Sequence, residues 1–263
     1  MHLVTTDTPA KLAGEHITKA IGDHDGDIVC LLSGGSALDI VAYIKASDQT
    51  KVERGKSWSS DPEHLESPSF NQEPNSVVEK SECRTIFMMG DERGSRDAKI
   101  NNSLQLLERY PNHYVTDNLI LTVPEASENL ENFTSRISET FSTEIKNLKN
   151  VKILQVLGVG SDGHTAGIFP LPKETFTATY DRPDVSIVPV HLEGLTIDSR
   201  ASVTPNWILT RPDELIVYIV GAGKNRILES LIQETKEIHE RPAELIKHHT
   251  GTTVYTDQST EVT

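Results

Sequence analysis

Short aliphatic runs, most of them ending in glycine and polar residues, set the rhythm of this chain. Five stand out, at 27–32, 85–89, 118–123, 153–157 and 214–220. Runs this short and this apolar predict buried strands of a parallel sheet. Shorter extended stretches are expected at 185–190 and 253–256. Between them the apolar period changes to that of a helix. Leu12, Ala13, Ile17, Ala20 and Ile21 predict a helix over 8–21, with Thr8 as N-cap and Pro9 at the first helical position. Leu130, Phe133, Ile137, Phe141, Ile145 and Leu148 predict another over 127–149. Further helices are expected over 37–44, from Asn101 to Leu107, over 225–237 and over 242–248. The stretch after Pro172 reads as irregular, and Arg200 to Thr204 leads into Trp207-Ile-Leu209. Such alternation predicts an α/β fold, a largely parallel open sheet with helices on both faces. One domain over 1–263 is expected. It is interrupted at 46–82 by a long polar insertion or mobile segment, which Trp58 and Phe70 would pin to the surface.

Four of the strand ends carry chemistry. Ser33, Gly34, Gly35 and Ser36 follow the first run, and Gly90, Asp91, Glu92 and Arg93 follow the second. Gly158, Gly160, Asp162, Gly163 and His164 follow the run at 153–157, and Gly221, Gly223 and Lys224 follow the last. In a parallel sheet these ends converge on the carboxyl edge, where open α/β sheets bind ligands. A strand, a Ser-Gly-Gly-Ser turn and a helix can hold a phosphate on backbone N–H groups. The same turn also reads as a tight connection capped by Ser36. Asp162 can cap a turn, Arg93 can pair with Asp91 or Glu92 on a solvated rim, and Lys224 can cap carbonyls. His248 and His249 read as an exposed helix end. His113, His191 and His239 have no partner at ligand spacing, so no metal site is expected.

Composition narrows the partners. The chain has 25 basic and 39 acidic residues, a net charge of −14. That excess argues against nucleic acid, and any anionic ligand must be held by a few local cations. No apolar run is long enough to span a bilayer, so no membrane partner is expected. The first residues lack the basic start and apolar core of a signal peptide. Cys30 and Cys83 are the only cysteines, and Cys30 sits in a strand-like run. A disulfide framework is not expected, and a cytoplasmic setting is.

The block Gly158-Val-Gly-Ser-Asp-Gly-His-Thr-Ala-Gly-Ile-Phe-Pro170 resembles the signature of 6-phosphogluconolactonases. Segments at 33–36, 90–93 with Asn102, 200–204 and 221–224, and then Pro242-Ala243 with Asp257, resemble that family in the same order. The resemblance implies a Rossmann-like three-layer α/β fold shared with glucosamine-6-phosphate deaminases and ribose-5-phosphate isomerases. It implies hydrolysis of 6-phospho-D-glucono-1,5-lactone, a step of the pentose phosphate pathway, with no cofactor. The partner implied is a phosphorylated sugar lactone, bound by a monomer or small homo-oligomer. His164 is then the catalytic base, with Asp162 orienting it or binding substrate. Arg93, Arg200 and Lys224 match the family's basic residues, the last two suiting the 6-phosphate, with Ser33, Gly34, Gly35, Ser36 and Asp91 beside them. Three departures bear on the pocket rim. The stretch from Asp91 to Asn102 is one residue short with Asn101 before Asn102, Ala37-Leu38 follows Ser36, and the insertion is long.

Three rivals remain. A deaminase resembling the family's sister enzymes would carry a carboxylate soon after His164, where this chain has Phe169, and a tyrosine where it has Arg93. A dinucleotide enzyme matches Gly158-Val-Gly-Ser-Asp-Gly163 in form, but Pro170 and Pro172 leave no room for the helix that this fingerprint opens. A non-catalytic sugar-phosphate sensor would carry a DNA-binding segment, and none is expected before residue 27.

Overall fold

The computed structural model describes residues 1–46, 83–192, 194 and 197–259. The insertion expected at 46–82 therefore lies, apart from Ala46, outside the described residues. Among the described residues there are nine strands: β1 (His2–Thr5), β2 (Ile28–Leu32), β3 (Thr85–Met89), β4 (Asp91–Arg93), β5 (Lys152–Gly158), β6 (Ile187–His191), β7 (Ser199–Val203), β8 (Glu214–Ile219) and β9 (Thr252–Thr256). The helices are α1 (Pro9–Asp23), α2 (Asn102–Arg109), α3 (Tyr114–Asp117), α4 (Leu130–Lys146), α5 (Lys173–Tyr180), α6 (Pro205–Thr210), α7 (Asn225–Gln233) and α8 (Leu245–His248).

Six strands form a wholly parallel sheet in the order β1-β9-β8-β5-β2-β3. Strand alternation divides its side chains between two cores. Ile28, Cys30, Leu32, Phe87, Leu154 and Ile216 face α1 and the 3₁₀ helix Gly35–Tyr43. Val29, Leu31, Met88, Ile153, Leu157, Leu215 and Val217 face α4, α6, α7 and a second sheet. The two-sided apolar pattern of the runs is the sequence form of this burial. After β2 the chain moves outward to β3, and from β5 it moves the other way to β8 and β9. The loops after β2 and β5 thus part company, and a crevice opens where the strand order reverses.

The second sheet was not foreseen. It is antiparallel, in the order β4-β7-β6. Gly90 joins it to the first: its N–H donates to Leu32 O at 2.8 Å, and its carbonyl accepts from Val203 N at 3.0 Å.

Several expectations need correction. The run 118–123 is not a strand: only Leu119 bridges to Phe87. Beyond it, Thr122 turns inward, its hydroxyl donating to Glu92 Oε2 at 2.9 Å and its carbonyl accepting from Asn101 Nδ2 at 3.0 Å. The irregular stretch after Pro172 contains α5, which buries only Tyr180 and so lacks a readable apolar stripe. Thr8 makes no side-chain cap, although Pro9 does open α1. The segment expected as a helix over 37–44 is a 3₁₀ helix beginning at Gly35. The helix read over 127–149 spans α4 alone, capped by Asn129, and the one over 225–237 ends at Gln233. His249 is buried, with Nε2 2.8 Å from Pro212 O, and only His248 is exposed.

Candidate active site

The crevice at the strand-order reversal is lined by Ser33, Gly34, Gly35, Ser36, Asp91, Arg93, His164, Arg200 and Lys224, together with Gly158, Val159, Gly160, Ala166 and Tyr218. Four distant strand ends therefore meet as the sequence suggested. Of the ten residues singled out beforehand only Asp162 is missing from the wall. The cavity measures about 180 Å³. That is below the size of a drug-sized pocket and suits a small polar ligand.

Each wall has a local cause. At the end of β2, Ser33 Oγ accepts from Gly158 N at 3.4 Å, tying that turn to β5. Gly34 lies against the Asn102 carboxamide so closely that a Cβ there would fall 2.2 Å from Oδ1. Asn102 is buried and donates from Nδ2 to Asp91 O at 3.0 Å, so it joins the first and second walls.

The second wall is cationic. Arg93 and Arg200 are direct cross-strand neighbours on β4 and β7. Like charges so placed repel. Asp91 offsets part of this, with Oδ2 3.7 Å from an Arg200 guanidinium nitrogen, both side chains nearly buried. Burial lowers the Arg200 pKa, Asp91 raises it, and Arg93 lowers it further. The Nε–H groups of both arginines are buried and have no hydrogen-bond partner among the described residues. Two crowded guanidinium groups on one wall of the crevice fit an anion in front of them. Behind them Glu92 accepts from Arg93 N, Asn102 N, Ser103 N, Ser103 Oγ and Thr122 Oγ1, at 2.6–2.9 Å. Burial pushes its carboxyl up to about 7 against the pull of these donors.

Lys224 adds a third cation. It precedes α7 and donates from Nζ to Val159 O at 2.5 Å. Burial lowers its pKa, and Asp162 pulls it partly back. Among the described residues no group of three or more His, Cys, Asp or Glu side chains could hold a metal ion.

The third wall follows β5. Gly160 N donates to His164 O at 2.8 Å and Gly163 N to Gly160 O at 3.0 Å, closing a tight loop. Within it His164 Nδ1 lies 2.6 Å from Asp162 Oδ1, which also accepts from His164 N at 3.2 Å. Burial alone would raise the Asp162 carboxyl, but the hydrogen bond from His164, and the charge of that ring when protonated, hold it below the usual value. The half-exposed Asp162 lies outside the crevice, so it touches His164 rather than the space in front.

Two residues were missed as site residues. Tyr218, opposite Gly158 in the sheet register, lines the cavity, and burial pushes its hydroxyl up to about 12. Phe169 stacks on His164. Both sit in apolar sequence and look like core residues there.

Comparison with known proteins gives three findings. The family of glucosamine-6-phosphate isomerases and 6-phosphogluconolactonases matches residues 65–255. A human 6-phosphogluconolactonase is 27% identical over 149 residues, 56% of this chain and 53% of that protein, so the chain spans about half the length of the curated relative it matches. Among solved structures, 6-phosphogluconolactonase from Trypanosoma brucei superposes with a TM-score of 0.64 at 20% identity, over 97% of this chain and 95% of that one. A monomeric glucosamine-6-phosphate deaminase superposes with a TM-score of 0.63 at 13% identity, over 98% of each chain. At these identities the superpositions establish the fold, which both activities share.

Proposed function

Since the chain belongs to the family of glucosamine-6-phosphate isomerases and 6-phosphogluconolactonases, we propose that it carries the second activity, hydrolysis of 6-phospho-D-glucono-1,5-lactone to 6-phosphogluconate. One observation carries this reading. An imidazole held at Nδ1 by a carboxylate shares a crevice with Arg93, Arg200 and Lys224.

The chemistry follows from that arrangement. With Asp162 accepting at Nδ1, the neutral imidazole keeps its lone pair on Nε2 and can act as a base. His164 takes a proton from water as the water oxygen attacks the lactone carbonyl. The carbonyl π electrons move to oxygen, and donors around the glycine turns meet the resulting charge. The intermediate collapses, the bond from carbonyl carbon to ring oxygen breaks, and the imidazolium returns its proton to that ring oxygen. Water is the only co-reactant, and no cofactor enters. Arg200 and Lys224, with the backbone of the turn at 33–36, hold the 6-phosphate.

The deaminase reaction needs a further carboxylate beside the histidine. Here Phe169 stacks on the ring instead, and a phenyl group has no ionisable proton to shuttle. The test is direct. Purified protein is added to freshly made lactone and, separately, to glucosamine 6-phosphate. Lactone loss well above the spontaneous rate, without ammonia from the amino sugar, is the expected result. Ammonia release with no acceleration of lactone opening would overturn the assignment.

A further inference from the structure

Phe169 lines no part of the crevice, yet it touches two residues on which the proposed chemistry rests. Its ring stacks on the His164 imidazole, with centroids 4.6 Å apart and planes 22° from parallel. The guanidinium carbon of Arg200 stands 5.1 Å from the centre of the same ring. Phe169 is only 8% exposed and cannot shift freely. Its N–H donates to Tyr180 Oη at 3.1 Å, and that hydroxyl donates to Gly167 O at 2.9 Å. Gly167 N in turn donates to Ser202 Oγ at 2.9 Å, on the strand that carries Arg200.

The hydrogen bond from His164 to Asp162 fixes one atom of the imidazole. It leaves the tilt of the ring open, and Asp162 itself sits half-exposed on a turn. A flat, buried neighbour fixes the tilt. The face of an aromatic ring also attracts a cation, so the contact strengthens when the imidazole takes up the proton of water.

We propose that Phe169 is a positioning residue: its ring sets the plane of the His164 imidazole and ties that plane to the Arg200 guanidinium. Base and anion clamp are then aligned through one shared surface. This rests on the lactone-hydrolysing reading of the site given above.

The experiment compares Phe169→Leu, which keeps an apolar side chain but loses the flat face, with Phe169→Tyr, which keeps the face. Misplacing a reacting group by an ångström can cost about 100-fold, so Phe169→Leu should lower kcat by about 10- to 100-fold, more than it raises KM. Phe169→Tyr should restore most of that loss. The same Phe169→Leu change made in the His164→Ala background should alter kcat by less than about twofold, because coupled residues do not add. An equal fold loss in both backgrounds, or a near-normal kcat in Phe169→Leu, overturns the proposal while the function reading stands. A wild-type protein that does not accelerate lactone opening sinks both. Should Phe169→Leu fail to fold, the wild-type protein decides by NMR. His164 ring protons shifted upfield by the aromatic ring are expected, and unshifted resonances overturn the proposal.

Discussion

Replacing Gly160 by alanine probes the site with a single methyl group. A Cβ at Gly160 would fall 2.1 Å from His164 Nδ1, 2.3 Å from its Cε1 and 2.4 Å from Asp162 Oδ1, where ordinary contact begins at 3.4 Å. The imidazole, the carboxylate or the loop must retreat by about 1 Å, which at a reacting centre costs roughly 100-fold. Gly35→Ala is the control. That residue has φ +64°, but nothing among the described residues lies within 4 Å of where its Cβ would be. It carries the backbone penalty of about 1–2 kcal/mol with no clash at the histidine. Hydrolysis of the lactone, corrected for spontaneous opening, is measured for both variants alongside thermal unfolding. Gly160→Ala is expected to lose kcat out of proportion to stability, and Gly35→Ala, in the turn proposed to hold the phosphate, to lose stability and raise KM with a smaller change in kcat. A Gly160→Ala enzyme within twofold of wild type would refute the claim that the loop is shaped around the His164–Asp162 pair.

Further outcomes are expected. His164→Ala should lower kcat by about 10²–10⁴-fold with little change in KM, the range for a general base; a near-normal rate would remove it from the mechanism. Lys224→Ala should raise KM for the phosphorylated lactone and spare unphosphorylated gluconolactone, and equal damage with both would argue against phosphate contact. Burial lowers the Lys224 pKa, so its charge is present below the folded value and lost as pH rises through it, before the usual lysine range is reached. Calorimetric affinity for 6-phosphogluconate should therefore weaken in that alkaline window, and Lys224→Arg should flatten the profile. Glu92→Ala strips the acceptor from one part-buried and two buried N–H groups, the buried ones worth about 1–3 kcal/mol each when left unpaired. Chemical denaturation should show a loss of several kcal/mol, and an unchanged midpoint would contradict the role given to that carboxylate.

Much of this was visible in the residues, for physical reasons. Parallel strands buried on both faces are mostly apolar, so β2, β3, β5 and β8 announce themselves. The turns after them need glycine for close approach, as Gly34 and Gly160 do, and the polar residues beside those glycines reach the cleft. What stayed hidden depends on tertiary partners. β4 is three residues of Asp, Glu and Arg, and no apolar pattern marks it. The run at 118–123 looks like a strand, but the carboxylate of Glu92 draws Thr122 away from β3. Phe169 and Tyr218 are apolar enough to pass for core packing, and only their neighbours show otherwise.

Gly90 belongs to both sheets, bonded through its N–H to Leu32 on one and through its carbonyl to Val203 on the other. The wall at 33–36 and the arginine wall are thereby riveted together at a single peptide. Neither can swing outward at that point without breaking one of these two bonds, so the separation of the walls is tied to the packing of the two sheets. The ordering of the two walls at this point is then a cost met when the chain folds, and a ligand need not supply it.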